Sequence, residues 1–169
     1  TSNYLKNIVG TTGTGTGPAN SDRALRTLKL AREIPELSPY LGDVSNLVNE
    51  AIDEKKSVLV EGTQGTYLSL YHGGYPYVTS KDVTASGICS DVGIGPKSVN
   101  EVLVVFKSFV TRVGSGPLLN EITPEKAVTR GWTEYGSVTG RQRRSSSFNM
   151  DLAKKSVKIN SATQLAITK

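Results

Sequence analysis

The chain has 169 residues, of which 37% are hydrophobic, so it is about one domain long and can bury a real core. Its longest strongly apolar run, Val102 to Val110, is interrupted by Lys107 and is too short to cross a bilayer, so we expect no membrane partner. The first residues lack the charged and apolar regions of an export signal. A single cysteine, Cys89, excludes an internal disulfide framework and is typical of a reducing, cytoplasmic location.

The net charge of +5 and the isoelectric point near 9.3 favour anionic partners. Basic residues are nevertheless scattered, except in the cluster Arg141–Arg144, and only Tyr135 and Phe148 offer aromatic rings near it. An RNA-binding surface would usually combine such a cluster with aromatic platforms. An RNA-binding function therefore depends on charge alone, and we expect no nucleic-acid partner.

The stretch from Gly10 to Arg26 is rich in glycine and threonine and precedes a helical pattern. It matches neither common phosphate-binding motif, because a Walker loop needs Lys where Thr16 stands and no third glycine completes a dinucleotide fingerprint. Glycines that admit a close anion, threonine hydroxyls, free amides and a helix N-terminus still favour phosphate binding. A mobile glycine and threonine linker explains the composition equally well.

Two helices and a strand are predicted next. Ser21 is the expected N-cap of a helix over residues 22–34, and Asp43 that of a helix over residues 44–54. The second helix carries an apolar stripe that we expect to lie in the core, formed by Val44, Leu47, Val48, Ala51 and Ile52. Residues 57–62 have the pattern of a buried strand, and the segment GTQGT follows where α/β sheets place ligand-binding groups.

The remaining elements alternate between helix and strand. They are a short helix over residues 95–103, a strand over 104–114, a helix opened by Thr123 and Pro124, a helix over 151–159 and a strand over 164–169. This alternation predicts an α/β fold, and no composition shift divides the chain, so we expect one domain portion over residues 1–169. Long segments from Gly73 to Pro96 and from Gly114 to Asn120 are expected to be functional loops.

Few side chains suggest catalysis or metal binding. His72, the only histidine, stands in a turn-like setting typical of the surface, and Cys89 has no basic neighbour in sequence that would activate it, so a small apolar role is expected. The spacing of metal-ligating cysteines and histidines is absent. Gln64 follows the predicted strand, where its amide could hydrogen-bond a base or belong to an ordinary turn.

Arg141 and Arg143 are two residues apart, so in an extended loop both guanidinium groups can point the same way. Such a pair can grip carboxylates or phosphates through bidentate hydrogen bonds. The alternative is a solvated basic turn, which these residues by themselves favour.

Six segments follow one another along the chain: GTTGTGTGPANSDRALR, VLVEGTQGTYLSLYHGGYPYVTSKDVTASG, GIGPKSV, FVTRVGSGP, EYGSVTGRQRR and INSATQLAITK. In this order and spacing they resemble the adenylosuccinate synthetase family in its shorter archaeal form. The resemblance runs from about Ile8 to Lys169 and so covers nearly the whole chain. It implies an α/β fold with a mixed, largely parallel sheet flanked by helices, similar to the P-loop NTPase-like fold of that family.

The resemblance also implies an activity. The family joins IMP to L-aspartate to form adenylosuccinate in AMP biosynthesis, using GTP and Mg²⁺. GTP phosphorylates the purine 6-oxygen, and the aspartate amine then displaces that phosphate. A cytoplasmic homodimer is expected, and the alternative is a fragment that binds IMP or another nucleotide without catalysis.

Site residues follow from the matched motifs. The IMP-binding positions are Thr12, Arg26, Gln64, Thr79, Val113 and Arg141. The aspartate-binding positions are Ser137, Val138, Thr139, Gly140, Arg141, Gln142 and Arg143, and the GTP-binding positions are Arg143 and Lys169. Thr12 and Thr79 match ligands of the 5′-phosphate, Gln64 a contact of the hypoxanthine, and Arg26 an arginine that reaches the neighbouring subunit's IMP site.

The chain also departs from the family pattern. Val138 stands where bacterial members have threonine, which removes one hydrogen bond to aspartate. Arg144 lies just beyond the matched aspartate loop, and its replacement by leucine is expected to change the KM for aspartate little. The family's glycine- and lysine-rich N-terminal loop, with its catalytic aspartate, and its catalytic histidine segment have no counterpart here. We therefore expect a central portion without its N- and C-terminal parts, with no catalytic residue or metal ligand of its own and no activity alone.

Overall fold

A computed structural model describes residues 3–169. The α-helices are α1 (Thr16–Leu25), α2 (Val44–Asp53), α3 (Ala85–Val92), α4 (Pro124–Thr129) and α5 (Met150–Asn160). The strands are β1 (Leu103–Lys107), β2 (Phe109–Arg112), β3 (Glu121–Ile122), β4 (Arg144–Ser147) and β5 (Gln164–Thr168). Single helical turns lie at Leu5–Val9, Ala31–Glu33, Thr66–Leu68 and Pro96–Ser98, and a longer one at Pro35–Tyr40. The predicted α/β class is confirmed.

The strands form two sheets. Strand β1 pairs with β5 in parallel, from Leu103 opposite Gln164 to Lys107 opposite Thr168. A second sheet is antiparallel, in the order β2, β4, β3. The expected largely parallel sheet is thus accompanied by an antiparallel one, because the strand predicted over residues 104–114 divides at Ser108. The Ser108 amide donates to the Thr168 carbonyl at 2.7 Å and ends the parallel ladder.

Three helices begin directly after side chains that cap them, and the sequence predicts two of these caps, Asp43 and Thr123. Asp43 accepts a hydrogen bond from the Asn46 amide at 3.0 Å at the start of α2. Thr123 accepts one from the Lys126 amide at 3.4 Å at the start of α4. Asn149 caps α5 one residue before its first turn. Polar caps of this kind satisfy amides that have no partner inside the helix.

The Ser21 cap predicted for the first helix is wrong. Helix α1 begins at Thr16, after Gly15, and ends at Leu25, so it precedes most of the predicted range 22–34. Pro18 is tolerated because the first helical turn needs no amide donor. The helix ends at Arg26, whose backbone is left-handed with φ 65°.

The strand predicted over residues 57–62 is absent from the described chain. A strand requires a partner, and the backbone of Val58, Leu59 and Val60 makes no hydrogen bond within residues 3–169. Leu59 is 93% exposed. The apolar stripe of α2 is likewise not a core element, since Val44 and Leu47 are exposed.

The long loop expected from Gly73 to Pro96 contains a helix. Thr84 caps α3 by accepting from the Gly87 amide, and Gly93 ends it in a left-handed conformation with φ 76°. Glycine and serine in this helix concealed it, because both are weak helix formers. The segment from Gly114 to Asn120 is a loop as predicted.

The most buried large side chain is Phe109, which is 1% exposed. Its ring stacks on Trp132 at a centroid distance of 5.0 Å. Small polar residues fill much of the remaining interior, including Ser69, Thr84, Ser145, Ser146 and Ser156. No helix in the described part of the chain is long and apolar enough to cross a membrane.

Candidate functional site

The glycine and threonine stretch forms a loop that leads into the N-terminus of α1. Gly10, Gly13 and Gly15 adopt left-handed backbone conformations with φ between 75° and 93°. Within residues 3–169, the amides of Thr12, Gly13 and Thr14 donate no hydrogen bond. Free amides beside a helix N-terminus present positive partial charge to an anion.

A second loop approaches this one closely at Gly10 and Gly114. A Cβ atom on Gly10 would lie 3.0 Å from the Gly114 Cα, and one on Gly114 would lie 2.9 Å from the Gly10 carbonyl oxygen. The Ser115 amide donates to the Val9 carbonyl at 3.4 Å. Only glycine at both positions allows this contact, which brings the loop containing Val113 against the first loop.

Arg141 joins a third segment to the same place. Its Nη2 donates to the Gly10 carbonyl at 3.0 Å, and its Nε contacts Thr139 Oγ1 at 3.4 Å. Residues 135–142 form a tight turn in which the Gly136 and Gly140 amides both donate to backbone carbonyls of the turn. The exposed tip of this turn includes Ser137, Val138 and Gly140.

A wide cleft of about 2240 Å³ opens beside these segments. Five of the residues predicted for a site line it: Thr12, Gln64, Thr79, Val113 and Arg143. The turn at residues 137–142 lies outside its lining and reaches it only through the contact of Arg141 with Gly10. The cleft therefore gathers four of the six predicted IMP positions and one predicted aspartate position, Arg143.

Gln64 and Thr79 lie on the wall of the cleft formed by residues 64–84. Gln64 has a left-handed backbone with φ 69° and is exposed. The Thr79 amide donates to the Leu68 carbonyl at 2.7 Å, which joins the segment around Thr79 to the helical turn that follows Gln64.

Asp82 stabilises this wall through its hydrogen bonds. Its carboxylate accepts from Ser69 Oγ at 2.8 Å and from Thr84 Oγ1 at 2.7 Å. Burial raises the pKa of Asp82, but the hydrogen bonds from Thr84 and Ser69 outweigh it and hold the pKa below its usual value. The folded structure therefore favours the ionised form of the Asp82 carboxylate.

Lys107, Thr111 and Glu134 form a cluster that the sequence did not single out as a site. Glu134 Oε2 accepts from Lys107 Nζ and lies 3.3 Å from Thr111 Oγ1 and 3.8 Å from Arg143 Nη1. A signal was present, because Lys107 interrupts the most apolar run of the sequence. A half-buried lysine usually has a partner or a function.

Arg144, whose replacement is expected to change the KM for aspartate little, makes several contacts within the fold. Its guanidinium donates to both oxygens of Glu121 and to the carbonyls of Gly114 and Gly116. The bidentate bond to Glu121 lowers the pKa of that carboxyl and raises the pKa of Arg144. Arg144 therefore braces the loop that touches Gly10, and the arginine cluster is not a free basic turn.

Of the other singled-out residues, Arg26, Lys169 and His72 lie apart from the cleft lining, whereas Cys89 is part of it. Arg26 is exposed at the C-terminus of α1, and Lys169 is exposed directly after β5. His72 lies at the surface, as predicted, and Cys89 is half-buried on α3. No three His, Cys, Asp or Glu side chains in residues 3–169 are grouped as a metal site.

Comparison with known proteins identifies the family. The family model for adenylosuccinate synthetase matches residues 27–169. Adenylosuccinate synthetases from Methanococcus aeolicus and Thermococcus sibiricus are 59% and 60% identical over 165 residues, 98% of this chain and 49% of each relative. A solved structure of fully ligated adenylosuccinate synthetase from Plasmodium falciparum has a TM-score of 0.85 at 29% identity, covering 95% of this chain and 48% of that one. The chain spans about half the length of the curated relatives it matches, and it belongs to the adenylosuccinate synthetase family.

Proposed function

We propose that the full-length protein containing this chain joins IMP to L-aspartate, with GTP as co-substrate, to form adenylosuccinate in AMP biosynthesis. The observation that carries the proposal is the meeting of Gly10, Gly114 and Arg141 beside the cleft. One ligand position is then surrounded by the Gly10 loop with its free amides, by the Gly114 loop in contact with its backbone, and by the Arg141 guanidinium. Such a combination suits a nucleoside monophosphate better than an uncharged ligand.

In this proposal the 5′-phosphate of IMP accepts hydrogen bonds from the amides of residues 12–14 and from the hydroxyls of Thr12 and Thr79. The Val113 backbone contacts the ribose, as does Arg141. Gln64 contacts the hypoxanthine, since its amide can both donate and accept. Four of these residues line the cleft, which supports a shared ligand.

The aspartate substrate is proposed to bind the turn of residues 137–143. Its exposed tip carries the Ser137 and Thr139 hydroxyls and ends in the two arginines at positions 141 and 143. Guanidinium groups bind carboxylates through paired hydrogen bonds. Val138 is 70% exposed and offers no hydroxyl, so its contribution would come from its backbone.

GTP is proposed to bind at the edge where β1 and β5 end. Thr168, the residue before Lys169, lies opposite Lys107, and Lys107 shares Glu134 with Arg143. Lys169 therefore follows the carboxyl end of β5, where α/β sheets bind ligands, and Arg143, just before β4, lies near the same edge through its contact with Glu134. The residues described here do not supply a Mg²⁺ site, so we assign its ligands to the rest of the protein.

A homodimer is part of the proposal. Arg26 lies outside the cleft of its own chain, and no contact of its side chain is found among residues 3–169. An exposed arginine at the end of α1 is free to serve the IMP site of a second subunit. Residues 1–169 would then be the IMP- and aspartate-binding portion of a cytoplasmic enzyme.

The test is adenylosuccinate formation by the full-length protein with IMP, aspartate and GTP. We expect product only when all three substrates are present. The isolated 169-residue chain should give none, because it lacks the family's catalytic groups, and loss of their charge stabilisation of the transition state costs roughly a thousandfold in rate or more. IMP binding without turnover by the full-length protein would favour the alternative, a non-catalytic nucleotide-binding protein.

A further inference from the structure

We propose that Glu134 is a positioning residue that holds Arg143 ready for the aspartate carboxylate. This inference rests on the proposed role of Arg143 in aspartate binding. Glu134 contacts Arg143 in two ways. The Arg143 amide donates to the Glu134 carbonyl at 2.8 Å, and the Glu134 carboxylate lies 3.8 Å from Arg143 Nη1.

The longer of these contacts leaves the guanidinium available. At 3.8 Å the two charges attract each other, but the separation exceeds that of a hydrogen bond. In the described structure Arg143 Nε also has no hydrogen-bond partner, although it is buried. Arg143 is therefore held in place by attraction while its donors remain free for an incoming carboxylate.

Lys107 explains why Glu134 does not bind Arg143 more tightly. Lys107 Nζ donates to Glu134 Oε2 and also to Thr111 Oγ1, at 2.7 Å in the second case. Thr111 Oγ1 contacts the same carboxylate oxygen at 3.3 Å. Both partners bind Oε2, the same carboxylate oxygen that lies nearest Arg143, and the cluster of Lys107, Glu134 and Arg143 keeps a net positive charge beside the cleft.

All three side chains are about one-third exposed or less. Their charges are thus less screened than those of a surface ion pair, and Lys107 and Arg143 both line the cleft. A negatively charged substrate that enters the cleft is attracted by the net positive charge of this cluster. Removing the Glu134 charge would free Arg143 to adopt other orientations without removing its backbone contact.

The test uses the full-length protein and the aspartate dependence of adenylosuccinate formation. Glu134→Gln keeps the size of the side chain and removes its charge, and we expect the KM for aspartate to rise about three- to tenfold with kcat within twofold. Arg143→Leu should raise that KM more strongly. In the double variant the Glu134 change should add nothing further, because its effect passes through Arg143. Glu125→Gln, an exposed glutamate on α4, is the matched control and should leave the KM unchanged.

A purely structural role of Glu134, as the partner of Lys107, gives a different pattern. In that case Lys107→Met combined with Glu134→Gln would restore both thermal stability and the KM for aspartate. If Glu134 positions Arg143, the double variant should recover thermal stability but keep a raised KM for aspartate. A normal KM in Glu134→Gln beside a raised KM in Arg143→Leu would overturn the inference and leave the proposed function intact. An unchanged KM in Arg143→Leu would overturn the aspartate site itself.

Discussion

Arg141 and Gly10 are 131 residues apart in sequence, and the Arg141 guanidinium donates a hydrogen bond to the Gly10 carbonyl at 3.0 Å. This contact connects the turn predicted for aspartate binding with the loop predicted for the IMP phosphate. In the proposed reaction the aspartate amine must reach the purine ring. A direct link between the two segments is therefore what the reaction requires.

The close approach of Gly10 and Gly114 can be tested with alanine. Gly10→Ala should lower the free energy of unfolding by at least about 1 kcal/mol more than Gly13→Ala. Both glycines have φ near 75°, so backbone strain is matched, but a Cβ at Gly13 meets nothing within 4 Å. Chemical denaturation of the 169-residue chain measures both values. Equal losses would mean that the contact with Gly114 contributes nothing.

Arg141 should be needed for aspartate use. Replacing it with leucine in the full-length protein should raise the KM for aspartate roughly ten- to a hundredfold, because a charge-assisted hydrogen bond contributes about 1.5–3 kcal/mol. Lysine should rescue only in part, since a point charge cannot form the bidentate contact. Steady-state kinetics at saturating IMP and GTP measure this effect. A KM within twofold of the unmodified protein in both variants would assign Arg141 to a solvated turn.

Arg26 should act in the neighbouring subunit. Arg26→Ala should weaken IMP binding, and mixing it with a variant changed at both Thr12 and Gln64 should restore activity. In the mixed dimer one site is then unmodified, and the other collects all three changes. Activity is measured after subunit exchange has been verified by mass. Arg23→Ala on the same helix is the control, and no recovery on mixing would restrict Arg26 to its own subunit.

Arg144 should be structural. Arg144→Leu should lower the free energy of unfolding by about 1.5–3 kcal/mol, because the carbonyls of Gly114 and Gly116 lose their charged donor. Solvent weakens the Glu121 pair, whose side chains are 35% and 39% exposed, so that pair adds little. Denaturation with Lys154→Ala as an exposed control measures the difference. Similar stability in both variants would show that the contacts of Arg144 contribute little to the fold.

Asp82 should give the fold an acid-sensitive contribution. Its pKa is lowered in the folded state, so the stability it adds is present above its unfolded pKa of about 4 and is lost as pH falls through the folded value. Asp82→Asn should therefore be less stable than the unmodified chain near neutral pH, and the gap should narrow below about pH 4. Thermal unfolding across this range measures the gap. A gap independent of pH would show that the charge is unimportant.

Local signals in the sequence predicted the elements whose partners are near in sequence or carry their own caps. Asp43 and Thr123 cap helices through contacts three residues away. Strand β5 was also predicted, from its short apolar run Leu165 to Ile167, although its partner is the distant strand β1. The helix predicted to start at Ser21 failed because glycines at its true start imitate a loop. The strand predicted at residues 57–62 failed because pattern alone cannot supply the partner that a strand needs.

The candidate site was harder to predict from physical reasoning. From periodicity and composition, the Gly10 loop could equally be a mobile linker and the arginine pair a solvated turn. The resemblance to a family supplied most of their proposed roles. The cluster of Lys107, Glu134 and Arg143 depends on contacts between residues up to 27 positions apart. No local pattern predicts such contacts, because they arise only when β1 and β4 take their places in separate sheets.

The most direct test of the account compares IMP with inosine, which lacks the 5′-phosphate, in equilibrium binding to the full-length protein. If the loop of residues 10–15 binds the phosphate, IMP should bind at least about a hundredfold more tightly than inosine, since two charge-assisted hydrogen bonds contribute about 3 kcal/mol. Thr12→Ala should reduce that ratio and leave the inosine affinity unchanged. Equal affinities for IMP and inosine would contradict the proposal that this loop holds the phosphate.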